Sequence, residues 1–301
     1  MMKDTFSNMH PFINFIFFAL TIGFTMFIMN PVCLAVSFLC ALVTALYLNG
    51  KKAVRLSLVF LLPMILLIVL VNPVFNHEGM TILTYFPWDN PLTLESIVYG
   101  IASAFLLSST VLWFSSFNAV ITSDKVVFLF GRIMPSLSLV ISMALRFVPR
   151  FSAQMKLVRN AQHTIGRDID EGSLFQRIRN AVKILSIMIT WSLENAIETA
   201  DSMKSRGHGL KGRTSYSLYK FDKRDAFMLC TILFTGLVLM ILLFTNAIKF
   251  RYYPSIKGDL FTVQSVIFYI FYTFLMLIPL SVNIGAVSYT HLRAHETPEH
   301  L

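Results

Sequence analysis

Between Asp4 and Lys51 the chain carries no formal charge. About 20 residues cross a hydrocarbon core, so this run is too long for one membrane span and long enough for two. Asn30-Pro31 divides it at a tight turn. Residues 12–29 read as one span and residues 32–48 as its return. A cleaved signal peptide fits less well, because Lys3 is offset by Asp4 and no small-residue cleavage site follows the apolar run.

The rest of the chain has the same character. Apolar residues make up 55% of the 301 and charged residues 14%, against roughly 25% charged in an ordinary soluble domain. This excludes a soluble enzyme, a disordered chain and a disulfide-rich secreted domain. Further spans are expected at 57–71, kinked or started by Pro63, within 92–117, and at 226–248 and 260–286. The expected fold class is all-α, a polytopic membrane helical bundle of about six spans.

Charge orients the bundle. Residues 118–224 hold 17 basic and 8 acidic residues, while the remainder balances at 8 and 8. Basic segments between spans mark the cytoplasmic side. Lys51, Lys52 and Arg55 form a second basic loop two spans earlier, on the same side. Six spans then place both termini in the cytoplasm of a cell-membrane protein, with 72–91 and 249–259 outside. The block lacks a nucleic-acid reader motif, so the expected surroundings are the lipid bilayer and no nucleic acid.

The organisation expected is four spans in 1–117, a cytoplasmic region in 118–224 and two spans in 225–286. Within the middle region, 133–145 is charge-free but too short to span, and reads as a core or interfacial helix. Pro149 should break or bend the chain there. An amphipathic helix with Phe151, Met155, Val158, Ala161 and Ile165 on one face follows, ended by Gly166. After a polar turn at 168–173, a second runs from about 174 to 206. Its stripe is Phe175, Ile178, Val182, Leu185, Ile189, Leu193, Ile197, Ala200 and Met203. Gly207 is placed to end it. Residues 287–297 lack a helical or strand pattern and look like translated sequencing-adaptor DNA, so 287–301 are read as non-native.

Catalytic chemistry finds no support in the residues. There is no GxxxxGK[ST] phosphate loop. Ser108-Ser109 and Ser115-Ser116 have no adjacent base and suit close helix packing. His77-Glu78 is too small a pair to make a metal site. Cys33, Cys40 and Cys230 lie in apolar runs without a CxxC. No cofactor or metal is expected. Ionisable residues inside the spans, which would mark a substrate path, are almost lacking. Glu194, Glu198 and Asp201 read as a solvated or internally paired face.

The strongest motif is Ser205-Arg206-Gly207, followed by Gly212-Arg213-Thr214. An arginine at a helix end presents five donors on a rigid base, and the glycine admits another backbone. An arginine there could equally serve its own helix dipole. Ser192 to Gly207 together with Gly212-Arg213-Thr214 resembles the transmembrane T component of energy-coupling factor (ECF) transporters, the family that includes the cobalt-transport permease CbiQ. His10-Pro11, Asn72-Pro73, Arg146-Phe147-Val148-Pro149 and Ile278-Pro279-Leu280 through Asn283 resemble further family landmarks.

The resemblance implies two Ala-Arg-Gly-type motifs that dock ATPases. Ser205, Arg206 and Gly207 match the second, with Ser for Ala. The first falls at Thr164, Ile165 and Gly166, where Thr and Ile replace Ala and Arg; Arg167 or Arg159 could substitute, and Lys156 is a secondary candidate. The resemblance further implies two ATP-binding-cassette ATPase subunits and a membrane S component that binds a vitamin or metal ion. The chain itself would be a non-catalytic coupling subunit. A self-sufficient permease and a polytopic membrane enzyme remain alternatives.

Overall fold

Two prolines open the first two helices. Pro11 starts α1 (Pro11–Phe27) and Pro31 starts α2 (Pro31–Asn49), at positions where a missing N–H costs no helical hydrogen bond. The His10 ring and the Asn30 side chain cap them, accepting from the N–H groups of Phe12 (3.3 Å) and Val32 (3.0 Å). The structure, a computed structural model, describes residues 5–85, 90–170, 172–210 and 219–295. After α2 come α3 (Lys51–Leu56), a π turn (Ser57–Leu61) and α4 (Leu62–Phe75). A ribbon of β1 (Ile82–Tyr85) and β2 (Pro91–Thr93) leads into α5 (Leu94–Val120). Then follow α6 (Ser123–Ile133), α7 (Pro135–Thr164), α8 (Leu174–Ser205), α9 (Lys223–Phe244), a ribbon of β3 (Phe250–Arg251) and β4 (Lys257–Gly258), and α10 (Val263–His295).

The expected all-α polytopic class is borne out. Among the described residues six stretches are long and apolar enough to cross a membrane: Pro31–Asn49, Lys51–Phe75, Leu94–Val120, Ser136–Thr164, Lys223–Phe244 and Val263–Gly285. On length alone this set leaves out α1, whose 17 residues reach about 26 Å, the short end of the spanning range, and takes in α7. Residues 133–145 are not one short helix: Ile133 ends α6, and Pro135 begins the 30-residue α7, which passes through Pro149. A helix interior tolerates a proline at the loss of one hydrogen bond, provided its neighbours keep theirs. Pro63 likewise does not start a span. It follows the π turn, in which Leu62 N–H donates to Ser57 five residues back, a wider turn that takes up the room a proline ring needs.

The chain divides into two units. The first comprises Met1–Thr122 with Tyr219–Leu301 and holds the main apolar core. α5 is its central helix, packed on α1, α2 and α4. Phe6, Phe17, Phe18, Trp113 and Phe117 meet edge to face, with ring centroids 5.2 to 6.4 Å apart, the arrangement that ring quadrupoles favour. A polar seam crosses this core. Trp113 Nε1–H donates to Ser37 Oγ at 3.1 Å, and Ser37 pairs with Thr25 at 2.9 Å. In hydrocarbon such hydroxyl and indole groups join helices. The carboxylates this unit buries, Glu95 and Asp225, lie in the first turns of α5 and α9.

The two segments expected outside meet each other. Met80 N–H donates to Pro254 O at 3.1 Å, and Asn76 Nδ2 donates to Tyr253 Oη at 2.8 Å. They thus lie at one end of the bundle. At the other end of this unit, α10 continues to His295, so residues 287–295 are helical where their sequence shows no helical pattern. A formed helix propagates at one hydrogen bond per residue with little regard for sequence pattern.

The second unit is Ser123–Leu218. Its α6 and α7 form a hairpin in which Ser138 Oγ–H donates to Val127 O at 2.9 Å. α7 meets α8 through Trp191, which stacks on Phe147 at 5.6 Å, touches Phe151 at 6.4 Å and lies under the Arg150 guanidinium at 5.9 Å. Ile184, Met188 and Asn195 are buried along the Trp191 face of α8. The stripe read from the sequence is a different face. Phe175, Ile178, Val182, Leu185, Ile189, Leu193 and Ile197 are all exposed, from 52% to 82%.

Candidate functional site

The candidate site consists of the two helix ends in the second unit. α8 ends with Arg206 at the cap position and Gly207 at φ +77°. Gly207 N–H donates to Lys204 O and His208 N–H to Met203 O, both at 3.0 Å. This pair of bonds is a Schellman turn, which satisfies carbonyls a helix end otherwise leaves open and needs a left-handed residue. α7 ends the same way. Ile165 is the cap and Gly166 has φ +67°. Gly166 N–H donates to His163 O and Arg167 N–H to Gln162 O, both at 2.9 Å.

The correspondence extends one residue back. Ser205 Oγ–H donates to Ser202 O and Thr164 Oγ1–H to Asn160 O, each at 2.9 Å. Thr164-Ile165-Gly166 and Ser205-Arg206-Gly207 are therefore two copies of one turn. Ile165 stands where Arg206 stands. Arg167 is displaced by two residues and occupies the place of His208.

The charged candidates differ in freedom. Arg206 is exposed, and its guanidinium has no ion-pair partner among the described residues. Lys156 and Arg167 are likewise exposed. Arg159 is engaged within the chain. Its Nε donates to Asp168 Oδ1 at 3.0 Å, and its Nη2 donates to Asp168 Oδ2 at 3.4 Å and to Asp170 Oδ2. From the other side, Arg177 donates to Ile169 O at 2.8 Å and pairs with Asp170 at 3.5 Å, and Asn180 Nδ2 donates to Asp168 O at 3.0 Å. The turn after α7 is thus clasped to both α7 and α8. The Arg159 hydrogen bond first, then the Ile169 N–H, hold the Asp168 carboxyl below the ordinary aspartate range.

Sequence reading missed this clasp. Its only local signals were the pair of aspartates two apart and Arg177 with Asn180 one turn into α8. Gly212-Arg213-Thr214 lies outside the described residues. No group of three or more potential metal ligands occurs among the described residues.

Residues 3–216 match the family described as cobalt transport protein, CbiQ. The chain belongs to the CbiQ family. Individual relatives agree. The energy-coupling factor transporter transmembrane protein EcfT of Lactobacillus helveticus is 40% identical over 106 residues, 35% of this chain and 38% of the relative. EcfT of Streptococcus thermophilus is 33% identical over 138 residues, 46% of this chain and 52% of the relative. EcfT of Lacticaseibacillus paracasei is 29% identical over 181 residues, 60% and 69% of the two chains. The matches thus span about two fifths to two thirds of these relatives. They bear out the resemblance read from the sequence. With its long apolar helices, this CbiQ-family chain is a multi-pass membrane protein.

Proposed function

We propose that this chain is the coupling subunit of an ATP-driven ECF-type importer of vitamins or metal ions. The observation that carries the reading is the repeated helix-ending turn, one copy of which presents an exposed arginine that has no ion-pair partner among the described residues. In this reading the ends of α7 and α8 dock two ATP-binding-cassette ATPases on the cytoplasmic side, where both termini also lie. Arg206 pairs with a carboxylate in an ATPase groove, and Gly207 lets the groove wall come close. The exposed stripe of α8 holds an S component that binds the substrate. Movement of the ATPases then shifts the coupling helices and reorients the S component.

The distribution of polar groups suits this division of labour. The spans hold no mid-membrane carboxylate among the described residues, and the chain has no phosphate loop, so cargo and ATP are left to other subunits.

Co-purification from detergent tests the reading. The full chain, wild type or Arg206→Glu, is expressed with candidate ATP-binding-cassette ATPases from the same organism. Recovery of an ATPase pair by the wild type, reduced by the variant, is expected. Equal recovery by both would remove Arg206 from the contact, and no ATPase with either, from folded protein, would remove the coupling role.

A further inference from the structure

The two helix ends share a backbone geometry but not a chemistry. At the cap position one presents a branched hydrocarbon, Ile165, 58% exposed, and the other a guanidinium. Their surroundings differ in the same sense. Within six residues of the cap, 159–171 hold two basic and three acidic residues, whereas 200–212 hold three basic and one acidic. In the first segment Arg159, Asp168 and Asp170 are closed on one another and on Arg177.

We propose that the two ends enter chemically unlike grooves. Arg206 meets a groove that carries a carboxylate. Ile165 meets one that is uncharged and apolar at the same depth, so the two ATPase surfaces facing this chain are not equivalent. The inference rests on the docking reading above. An isoleucine cannot compensate a carboxylate withdrawn from water, and an unpaired buried charge is strongly unfavourable. A groove matched to Arg206 would therefore reject Ile165, and an apolar groove would reject an arginine. The contacts also differ in their response to salt, which screens the Arg206 pair and leaves apolar burial at Ile165 intact.

The test measures ATPase recovery by the full chain, co-expressed with those ATPases, across a salt series. Wild type is compared with Ile165→Arg, Ile165→Ala and Arg206→Ile. Ile165→Arg is expected to weaken association by at least about ten-fold, Ile165→Ala to weaken it less, and Arg206→Ile to abolish its salt dependence. The arginine variant should fold normally, because the site is exposed and a cation at a helix C-terminus is favourable; helical content and monodispersity in detergent check this. Recovery by Ile165→Arg equal to or above wild type would overturn the proposal in favour of two carboxylate grooves. If wild type itself recovers no ATPase, the docking reading fails first, and the inference falls with it.

Discussion

Ile165 and Arg206 occupy the same position in two copies of one helix-ending turn, on helices α7 and α8. Each precedes a glycine in the left-handed region, and each turn is closed by two backbone hydrogen bonds of 2.9 to 3.0 Å. The turn fixes where the cap side chain projects; the residue fixes what it can bind.

The guanidinium of Arg206 should matter beyond its charge. Arg206→Lys keeps the charge and loses the planar fork, so it should retain part of the ATPase recovery that Arg206→Glu loses. The loss in the glutamate variant is expected at about 2–5 kcal/mol of association. Quantified co-purification distinguishes the two. Equal loss in both variants would point to bidentate geometry alone, and no loss in either would contradict the contact.

Gly207 and Gly166 hold conformations that L side chains resist. Gly207→Ala should cost about 1–2 kcal/mol at the end of α8, where the new Cβ would also lie 3.1 Å from Leu210. Amide hydrogen exchange of the last turn of α8 should accelerate in that variant. Gly23→Ala, within the α1 helix and with open space at its Cβ, should show no such local effect.

Asp168 gives the clasp a pH dependence of definite sign. Its folded pKa lies below the ordinary 3.8, so the unfolded turn takes up protons first as pH falls. The clasp's contribution is fully present well above that value and is lost as pH drops through the folded one. Protection of the amides around Ile169 should therefore be constant from neutral pH to about 5 and decline below about 4. Asp168→Asn should reduce protection at neutral pH and flatten the decline.

The exposed stripe of α8 should be dispensable for folding. Leu193, 62% exposed, can be changed to serine with a stability effect within about 0.5 kcal/mol. The same change should reduce recovery of a co-expressed S component without reducing recovery of the ATPases. Loss of both together would assign the stripe to internal packing.

Trp113 anchors the core of the membrane unit. It is fully buried among phenylalanines and bonded to Ser37, so Trp113→Ala should destabilise that unit by about 3–5 kcal/mol. Thermal unfolding in detergent reads this directly.

Much of this was legible in the sequence. Gly166, Gly207 and the prolines at 11 and 31 mark helix ends through local backbone chemistry, so α1, α2, α7 and α8 end where their residues say. The clasp was not legible. Arg159 reaches Asp168 and Asp170 only because the Gly166 turn folds the chain back, and a side chain read as an outward cation is spent inside. Pro149, read as a break or a bend, does not break the chain: α7 passes through it, because a proline's lost hydrogen bond weakens a helix without having to end it. The α8 stripe is legible in part. Periodicity finds an apolar face, but Ile184, Met188 and Trp191 form a second one, and which face packs internally depends on residues far along the chain. The short β ribbons in the loops left no alternating pattern to read.

In the docking reading, the helix end at Ser205-Arg206-Gly207 sits against an ATPase. Site-specific photocrosslinking in intact membranes tests this, with the photoreactive residue at Ser205 and, as control, at Met80 in the 72–91 loop expected outside from the charge pattern. An adduct of the chain with an ATPase from position 205 and none from position 80 is the predicted result. No ATPase adduct from position 205, in membranes where the transporter is active, would remove the docking role of this helix end.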